Sequence, residues 1–409
     1  MTTIAEASTG IAAGDRLARR NALILALSQA LAGANNAVII GTAGIIGAVL
    51  AGDKSMATIP VSTFVVGMWA GTLPVGFIAR RFGRLPAFEA GAFCGMLAGL
   101  TCGTAVILGS FALLCVGTAF GGLYAAAHQS YRFAAADTAS EAFKPKAISW
   151  VLAGGVLAGV LGPQLIILTK DILPQHLFAA SYFAQAIVAV IAAGVLTLVR
   201  IPRLPPAAAS AGLARPLTEI FRQPKLIAAV ICGVAAYSMM NLIMTSGPLA
   251  MVNHNHSVTD AALGLQWHVV GMYAPSFFTG TLITRFGSGR VVAVGLTTMA
   301  IGALIGMAGL SIAHFWADLI LLGVGWNFAY VGATAAVTDC HRPYERNKVQ
   351  AVNDFMIFGS MAISSYSSGQ LLANFGWTAV NVLVLPVMLA AAIALTWVGW
   401  KQRSTAPVR

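Results

Sequence analysis

Residues 67–83 read GMWAGTLPVGFIARRFG, and residues 271–287 read GMYAPSFFTGTLITRFG. With the chain shifted by 204 residues, Gly67-Met68-Trp69-Ala70 falls on Gly271-Met272-Tyr273-Ala274, Gly76 on Gly280, and Arg81-Phe82-Gly83 on Arg285-Phe286-Gly287. Each stretch is an apolar run that ends in a basic turn. A weaker echo sets Asp137 against Asp339. A repeat at this distance means that one half of the chain restates the architecture of the other.

Composition says what that architecture is. Of 409 residues, 58% are hydrophobic and 9% are Asp, Glu, Lys or Arg, where a soluble domain carries about 25% charge. That excludes a soluble enzyme and a disordered chain. A bilayer core needs roughly 20 apolar residues per helix. Twelve such spans are predicted, at 22–50, 59–80, 86–106, 108–132, 147–169, 177–200, 226–251, 261–284, 290–311, 314–338, 347–372 and 376–400. The proline-rich, charged stretch IPRLPPAAASAGLARPLTEIFRQP interrupts them. The expected organisation is an N-terminal six-helix half, 1–200, a cytoplasmic linker, 201–224, and a C-terminal six-helix half, 225–409.

Charge orients the chain. With both termini in the cytoplasm, 22 of the 24 Lys and Arg residues lie inside, and only Lys54 and Lys170 lie outside, as the positive-inside rule requires. The net charge of +11 therefore reflects topology, and no nucleic-acid partner is expected. The five cysteines form no CxxC pair, which argues against a disulfide framework or a zinc motif. The N-terminus lacks a short apolar core followed by a small-residue cleavage site, so no cleaved signal peptide is read. The expectation is a multi-pass protein of a bacterial inner membrane.

The stretch Gly76-Phe-Ile-Ala-Arg-Arg-Phe-Gly83-Arg84 resembles the loop between the second and third helices of the major facilitator superfamily, Gly-x-x-x-Asp-Arg/Lys-x-Gly-Arg. Arg80 stands at the Asp position, so the loop lacks its usual carboxylate. Gly155-Val-Leu-Ala-Gly159-Val-Leu-Gly162-Pro163 resembles the family's glycine-rich fifth helix. The resemblance covers nearly the whole chain. It implies an all-α membrane protein with the major facilitator fold, rocking between inward- and outward-open states. In that reading Gly76, Arg81, Gly83, Arg84, Asp137, Arg285, Gly287 and Asp339 are the conformational-loop residues. Close helix packing is the other reading of the glycines.

Ionisable groups inside spans are functional candidates. Asp354 and His128 are candidates for a coupling proton, and Asp354 equally suits a structural ion pair. Glu89 and Asp318 also lie within spans. No Lys or Arg lies mid-span, which argues against a bulky organic anion as cargo. A different pattern stands on spans 7 and 8, where Met240-x-x-x-Met244 is followed by His268-x-x-x-Met272. Each pair shares one helix face. Antiparallel neighbours would level Met240 with Met272 and Met244 with His268. Three thioethers and an imidazole suit Cu(I); ordinary gap-filling by methionine is the alternative. Met68, at the repeat position of Met272, with Met251, His254, His256 and Cys232, are secondary metal candidates.

The same two pairs resemble the ligand motifs of CcoA-type bacterial copper importers, a branch of that superfamily. The resemblance implies that Met240, Met244, His268 and Met272 bind copper. The expectation drawn from it is copper import that supplies cytochrome oxidase biogenesis, with copper as substrate rather than cofactor, a cytoplasmic copper acceptor and a monomeric carrier. Relatives in the wider grouping resemble riboflavin transporters. Transport of an organic solute such as riboflavin or a drug is therefore the second reading, and it would need aromatic and hydrogen-bonding side chains in place of the four-ligand square. A non-transporting copper sensor is the third. No nucleophile–base set, cofactor fingerprint or Walker A motif supports an enzyme.

Overall fold

The computed structural model describes residues 2–140, 143–201, 215–342 and 345–404. Part of the predicted linker, 202–214, lies outside the described residues. Every regular element among the described residues is helical. The first half holds α1 (Thr2–Leu50), a 3-10 turn (Lys54–Met56), α2 (Ile59–Phe82), α3 (Arg84–Leu108), α4 (Phe111–His128), α5 (Tyr131–Asp137), α6 (Lys144–Thr169) and α7 (Ala179–Leu196). The second half holds α8 (Leu217–Ile220), α9 (Pro224–Asn253), α10 (Val258–Tyr273), α11 (Ser276–Phe286), α12 (Ser288–Ala308), α13 (Ile312–Thr338) and α14 (Arg346–Ser404). Contacts divide the chain into two compact units, Met1–Pro205 and Pro206–Arg409.

Among the described residues, ten helices are long and apolar enough to cross a bilayer. One of them, Val352–Trp397, has 46 residues, enough for two crossings at 1.5 Å per residue. It bends at Gly376, whose φ of 77° takes the chain out of helical geometry. Spans 11 and 12 thus follow each other with a single glycine as their turn. The predicted span 261–284 differs in the opposite way, being broken into α10 and α11. Pro275 lacks an N–H and its ring crowds the preceding turn, which ends α10 at Tyr273.

The repeat read in the sequence is repeated in the backbone. Gly83 and Gly287 both take positive φ, 100° and 84°. Each caps one helix and opens the next, its N–H donating to Ala79 O or Ile283 O. Only glycine tolerates that region well. Arg81 lies over the Phe82 ring and Arg285 over the Phe286 ring, at 5.7 and 5.2 Å.

Within the first unit α1 packs on α6, and α4 packs between α2 and α3. Within the second, α9 packs on α14 and α13, while α13 also meets α10 and α12. Close approach is achieved by glycine. A Cβ on Gly122 of α4 would meet Phe64 O at 2.1 Å, and one on Gly323 of α13 would meet His268 O at 2.4 Å. In α9 every residue from Ala235 through Met251 is buried.

Candidate functional site

In the first unit, His128 at the end of α4 uses both ring nitrogens toward α1. Asn36 Nδ2 donates to His128 Nε2 at 2.8 Å, and His128 Nδ1 donates to Gln29 Oε1 at 3.4 Å. Arg84 Nε donates to Asp137 Oδ2 at 2.7 Å. The carboxylate that is absent at position 80 is therefore supplied to this turn by the end of α5. Asp339, the echo of Asp137, pairs with Lys225 at 2.8 Å, a different partner from the one the repeat would give. Gly76 lies on α2 with open space around its Cα. Asp354 is exposed and accepts from Asn353 Nδ2 at 3.2 Å.

The second unit gathers aromatic residues from four helices. On α13, Trp326 and Tyr330 are one turn apart and stack, with centroids 5.1 Å apart and an interplanar angle of 16°. Tyr237 of α9 meets both edge-on, at 5.2 and 4.9 Å. Phe358 of α14 lies 6.2 Å from Tyr237, and Tyr273 of α10 lies 6.5 Å from Trp326. These are the offset and T-shaped arrangements that aromatic quadrupoles favour. Polar groups border them. Ser238 Oγ donates to Ser360 Oγ at 2.8 Å, and Asn241 Nδ2 donates to Met361 O and Ser364 Oγ at 3.1 and 3.2 Å. Trp326 Nε1 is buried with no hydrogen-bond partner among the described residues.

Next to Trp326, Asn327 holds the broken span. Its Nδ2 donates to Met272 O at 2.7 Å and Ser276 Oγ at 2.6 Å, while Thr279 Oγ1 donates to its Oδ1 at 2.6 Å. Met272 O is a carbonyl that the break deprives of its regular helical donor, Ser276 N–H. The buried carboxamide satisfies it, as buried backbone polar groups in a membrane require. The break thus stays closed to solvent and Tyr273 stays against Trp326.

Met240, Met244, His268 and Met272 are all buried, on the neighbouring helices α9 and α10. His268 Nδ1 donates to Leu319 O at 2.7 Å, and its Nε2 has no partner among the described residues. Met68 and Met251 are buried. Cys232 Sγ donates to Ala391 O at 3.5 Å. His256 Nε2 lies 2.7 Å from Leu310 O with its ring on Phe315, and His254 is exposed near the same ring. No group of three or more His, Cys, Asp or Glu suited to a metal occurs among the described residues.

A helical bundle of this kind, assembled from two halves that share one turn motif, defines a membrane transporter. The chain matches the Major Facilitator Superfamily over residues 25–274 and 229–408, and it belongs to that family. It is a multi-pass membrane transporter, not an enzyme. It is 46% identical over 381 residues to the riboflavin transporter RfnT of Brucella anthropi, spanning 92% of this chain and 95% of that one. It is 29% identical to the uncharacterised MFS-type transporter YddS of Bacillus subtilis, over 92% and 91% of the two chains. Among solved structures, the nucleoside transporter NupG superposes with a TM-score of 0.72 at 12% identity, covering 92% of this chain and 99% of that one. The xylose transporter XylE of E. coli gives 0.71 at 15%, covering 92% and 97%.

The relative at 46% identity overturns the copper reading. Copper import and the supply of cytochrome oxidase are withdrawn, and the metal role expected of Met240, Met244, His268 and Met272, and of Met68, Met251, His254, His256 and Cys232, loses the function it was tied to. The Met-x-x-x-Met spacing is equally that of methionines filling a packed interior, and α9 is buried at every position from Ala235 to Met251.

The sequence reading missed the aromatic cluster. Its residues stand on four separate segments, and only Trp326-x-x-x-Tyr330 shows a regular spacing. A second signal was Asn327, a carboxamide in the middle of an apolar span, which demands a partner.

Proposed function

We propose that this chain is a secondary transporter of a planar heteroaromatic solute of the flavin type, riboflavin being the first candidate. The relative at 46% identity over 92% of the chain carries the reading. The chain's own residues suit such a solute. An isoalloxazine ring is flat and amphipathic, and it is bound by stacking on aromatic side chains with hydrogen bonds at its edge. Tyr237, Trp326, Tyr330 and Phe358 supply the stacking surface. Trp326 Nε1 supplies a donor and His268 Nε2 a ring nitrogen, neither engaged by another described residue. We further place the protein in the inner membrane with both termini cytoplasmic, on the strength of the 22-to-2 distribution of basic residues.

The test is uptake of radiolabelled riboflavin by bacteria that cannot synthesise it, at limiting external concentration. Cells expressing this chain should take up the label and grow where cells with an empty vector do not. An excess of unlabelled flavin should compete. Uptake equal to the empty vector, with the protein present in the membrane, would sink the proposal.

A further inference from the structure

One buried carboxylate of the second unit stands apart from the aromatic cluster and from the break in span 8. Asp318 lies in the second turn of α13 and is fully buried. Both of its carboxylate oxygens lack a hydrogen-bond partner among the described residues, and so does Oδ1 of the buried Asn381 on α14. The Asn381 amide is oriented by its other end, since Nδ2 donates to Trp377 O at 3.2 Å. The two side chains converge on α12 at Gly306. A Cβ built there would stand 2.4 Å from Asp318 Oδ2, 2.9 Å from Asn381 Oδ1 and 3.0 Å from Asn381 Nδ2. Gly302, one turn earlier, places the same virtual atom 3.2 Å from Asp318 Oδ1. Glycine at 306 is what makes room for the pair.

The inventory at this point is three acceptor oxygens without a hydrogen bond and one donor group, Asn381 Nδ2, which is turned to Trp377 O. Acceptors buried together with no hydrogen bond between them repel one another, and an ionised carboxylate is costly in such a place unless paired. No cation is at hand. From 291 to 341 and from 349 to 400 the sequence has no Lys or Arg, nor has it any from 226 to 284. Of the elements packed against α13, α12 contributes only Arg290, α11 only Arg285 and α9 Lys225 and Cys232, all toward the other end. On α10 there are His268, about two turns along from Asp260, and Asp260 itself, which caps the helix with Ser257. His254 and His256 stand in the loop before α10, and His314 lies one turn from Asp318 on α13 itself, with Ser311 Oγ 2.7 Å from its Nδ1. The charged groups at the ends of α14 are Arg346, Lys348 and Asp354 at one and Lys401 and Arg403 at the other.

We propose that Asp318 and Asn381 form a proton-binding site, with one proton on the Asp318 carboxyl donated to Asn381 Oδ1. A single added proton converts three unmatched acceptors into one donor–acceptor pair and removes the buried charge. In the loading step hydronium gives a proton to an Asp318 oxygen and leaves water. One O–H bond breaks and one forms, and release to water is the reverse. His314, one turn nearer the loop, marks the side from which the proton arrives. If the flavin reading above holds, this site couples solute movement to the proton gradient.

Two measurements test this separately. Infrared spectra of the purified full chain at neutral pH should contain the carbonyl band of a protonated carboxylic acid. Asp318→Asn should lose it, and Asn381→Ala should shift it to higher frequency, because the hydrogen bond is lost. No such band in the wild type, or a band unchanged in both variants, overturns the site, and the Asn381→Ala shift serves even where Asp318→Asn folds poorly. In liposomes, a one-unit pH gradient should drive up to about tenfold accumulation of labelled riboflavin, the tenfold that one pH unit represents. Asp318→Asn should equilibrate riboflavin without accumulating it. Accumulation by Asp318→Asn overturns the coupling, whereas a wild type that moves no riboflavin overturns the flavin reading and leaves the infrared result standing.

Discussion

Trp326 and Tyr330 stack because residues four apart on α13 share a face, and Tyr237 closes on both from α9. An aromatic pair contributes about 0.5–1.5 kcal/mol beyond its buried area. Trp326→Ala should therefore raise the half-saturating riboflavin concentration by roughly tenfold, at 1.4 kcal/mol per decade. Trp326→Phe, which keeps the ring and loses the N–H, should fall between the two; labelled uptake normalised to protein in the membrane reads both. The methionines should behave otherwise. Met240→Leu and Met272→Leu conserve volume, a change that costs under about 1.5 kcal/mol. Both variants should transport riboflavin within about twofold of the wild type, and an external Cu(I) chelator should not alter uptake in any of them. Residue types and spacings were enough to single out the soft-ligand pattern. They could not tell whether the helix carrying it had a distinct inner face. Tyr237 and Trp326, 89 positions apart in the chain, had no local pattern that would join them.

At the scale of the element, the turns were legible and the breaks were not. Arg-Phe-Gly at 81–83 and 285–287 pointed to one turn used twice, and both glycines take positive φ. Around Gly287 nothing lies within reach of an added Cβ, so Gly287→Ala should cost the backbone term alone, about 1–3 kcal/mol. A lowered melting temperature in detergent, without lost monodispersity, is the expected result. Pro275 was visible in the sequence, yet an apolar run of normal length reads as one span even when a proline ends the helix inside it. What the sequence left out was the remedy, because Asn327 lies on another helix. Asn327→Leu removes the donor to Met272 O and Ser276 Oγ and leaves Thr279 Oγ1 with Pro275 O alone. Each orphaned buried group costs about 1–3 kcal/mol, so this variant should melt below Gly287→Ala.

Over the whole molecule, the distribution of basic residues and the repeat gave the membrane architecture. The segment that enters the second unit needed coordinates. Arg215 Nε and Nη2 grip Glu345 Oε1 and Oε2 at 2.9 and 2.8 Å, and Glu345 also accepts from Arg215 N and Arg342 N. Ile220 of α8 is buried beside Leu226, Cys340 and Val349. The Arg215 guanidinium holds the Glu345 carboxyl well below its usual range. A carboxyl whose pKa falls on folding contributes its stabilisation above the ordinary value of 4.5 and loses it as the pH drops toward the depressed one. Hydrogen-exchange protection of amides 215–223, corrected for intrinsic rates, should therefore be flat near neutrality and fall only in acid. Glu345→Gln should lower it at every pH. Protection unchanged in Glu345→Gln would show that the α8 contacts alone hold the segment.

The enclosure of α9 carries over to how its sequence can vary. A helix with one side toward lipid tolerates exchange at regular intervals, and a saturation library plotted along it would oscillate every three to four positions. From Ala235 to Met251 no position faces outward. Its profile should be a plateau of intolerance about seventeen residues wide, matching that range and set against the oscillation expected for α3, where buried and exposed residues alternate. Drift in this protein would then accumulate around α9 and leave its own sequence nearly fixed.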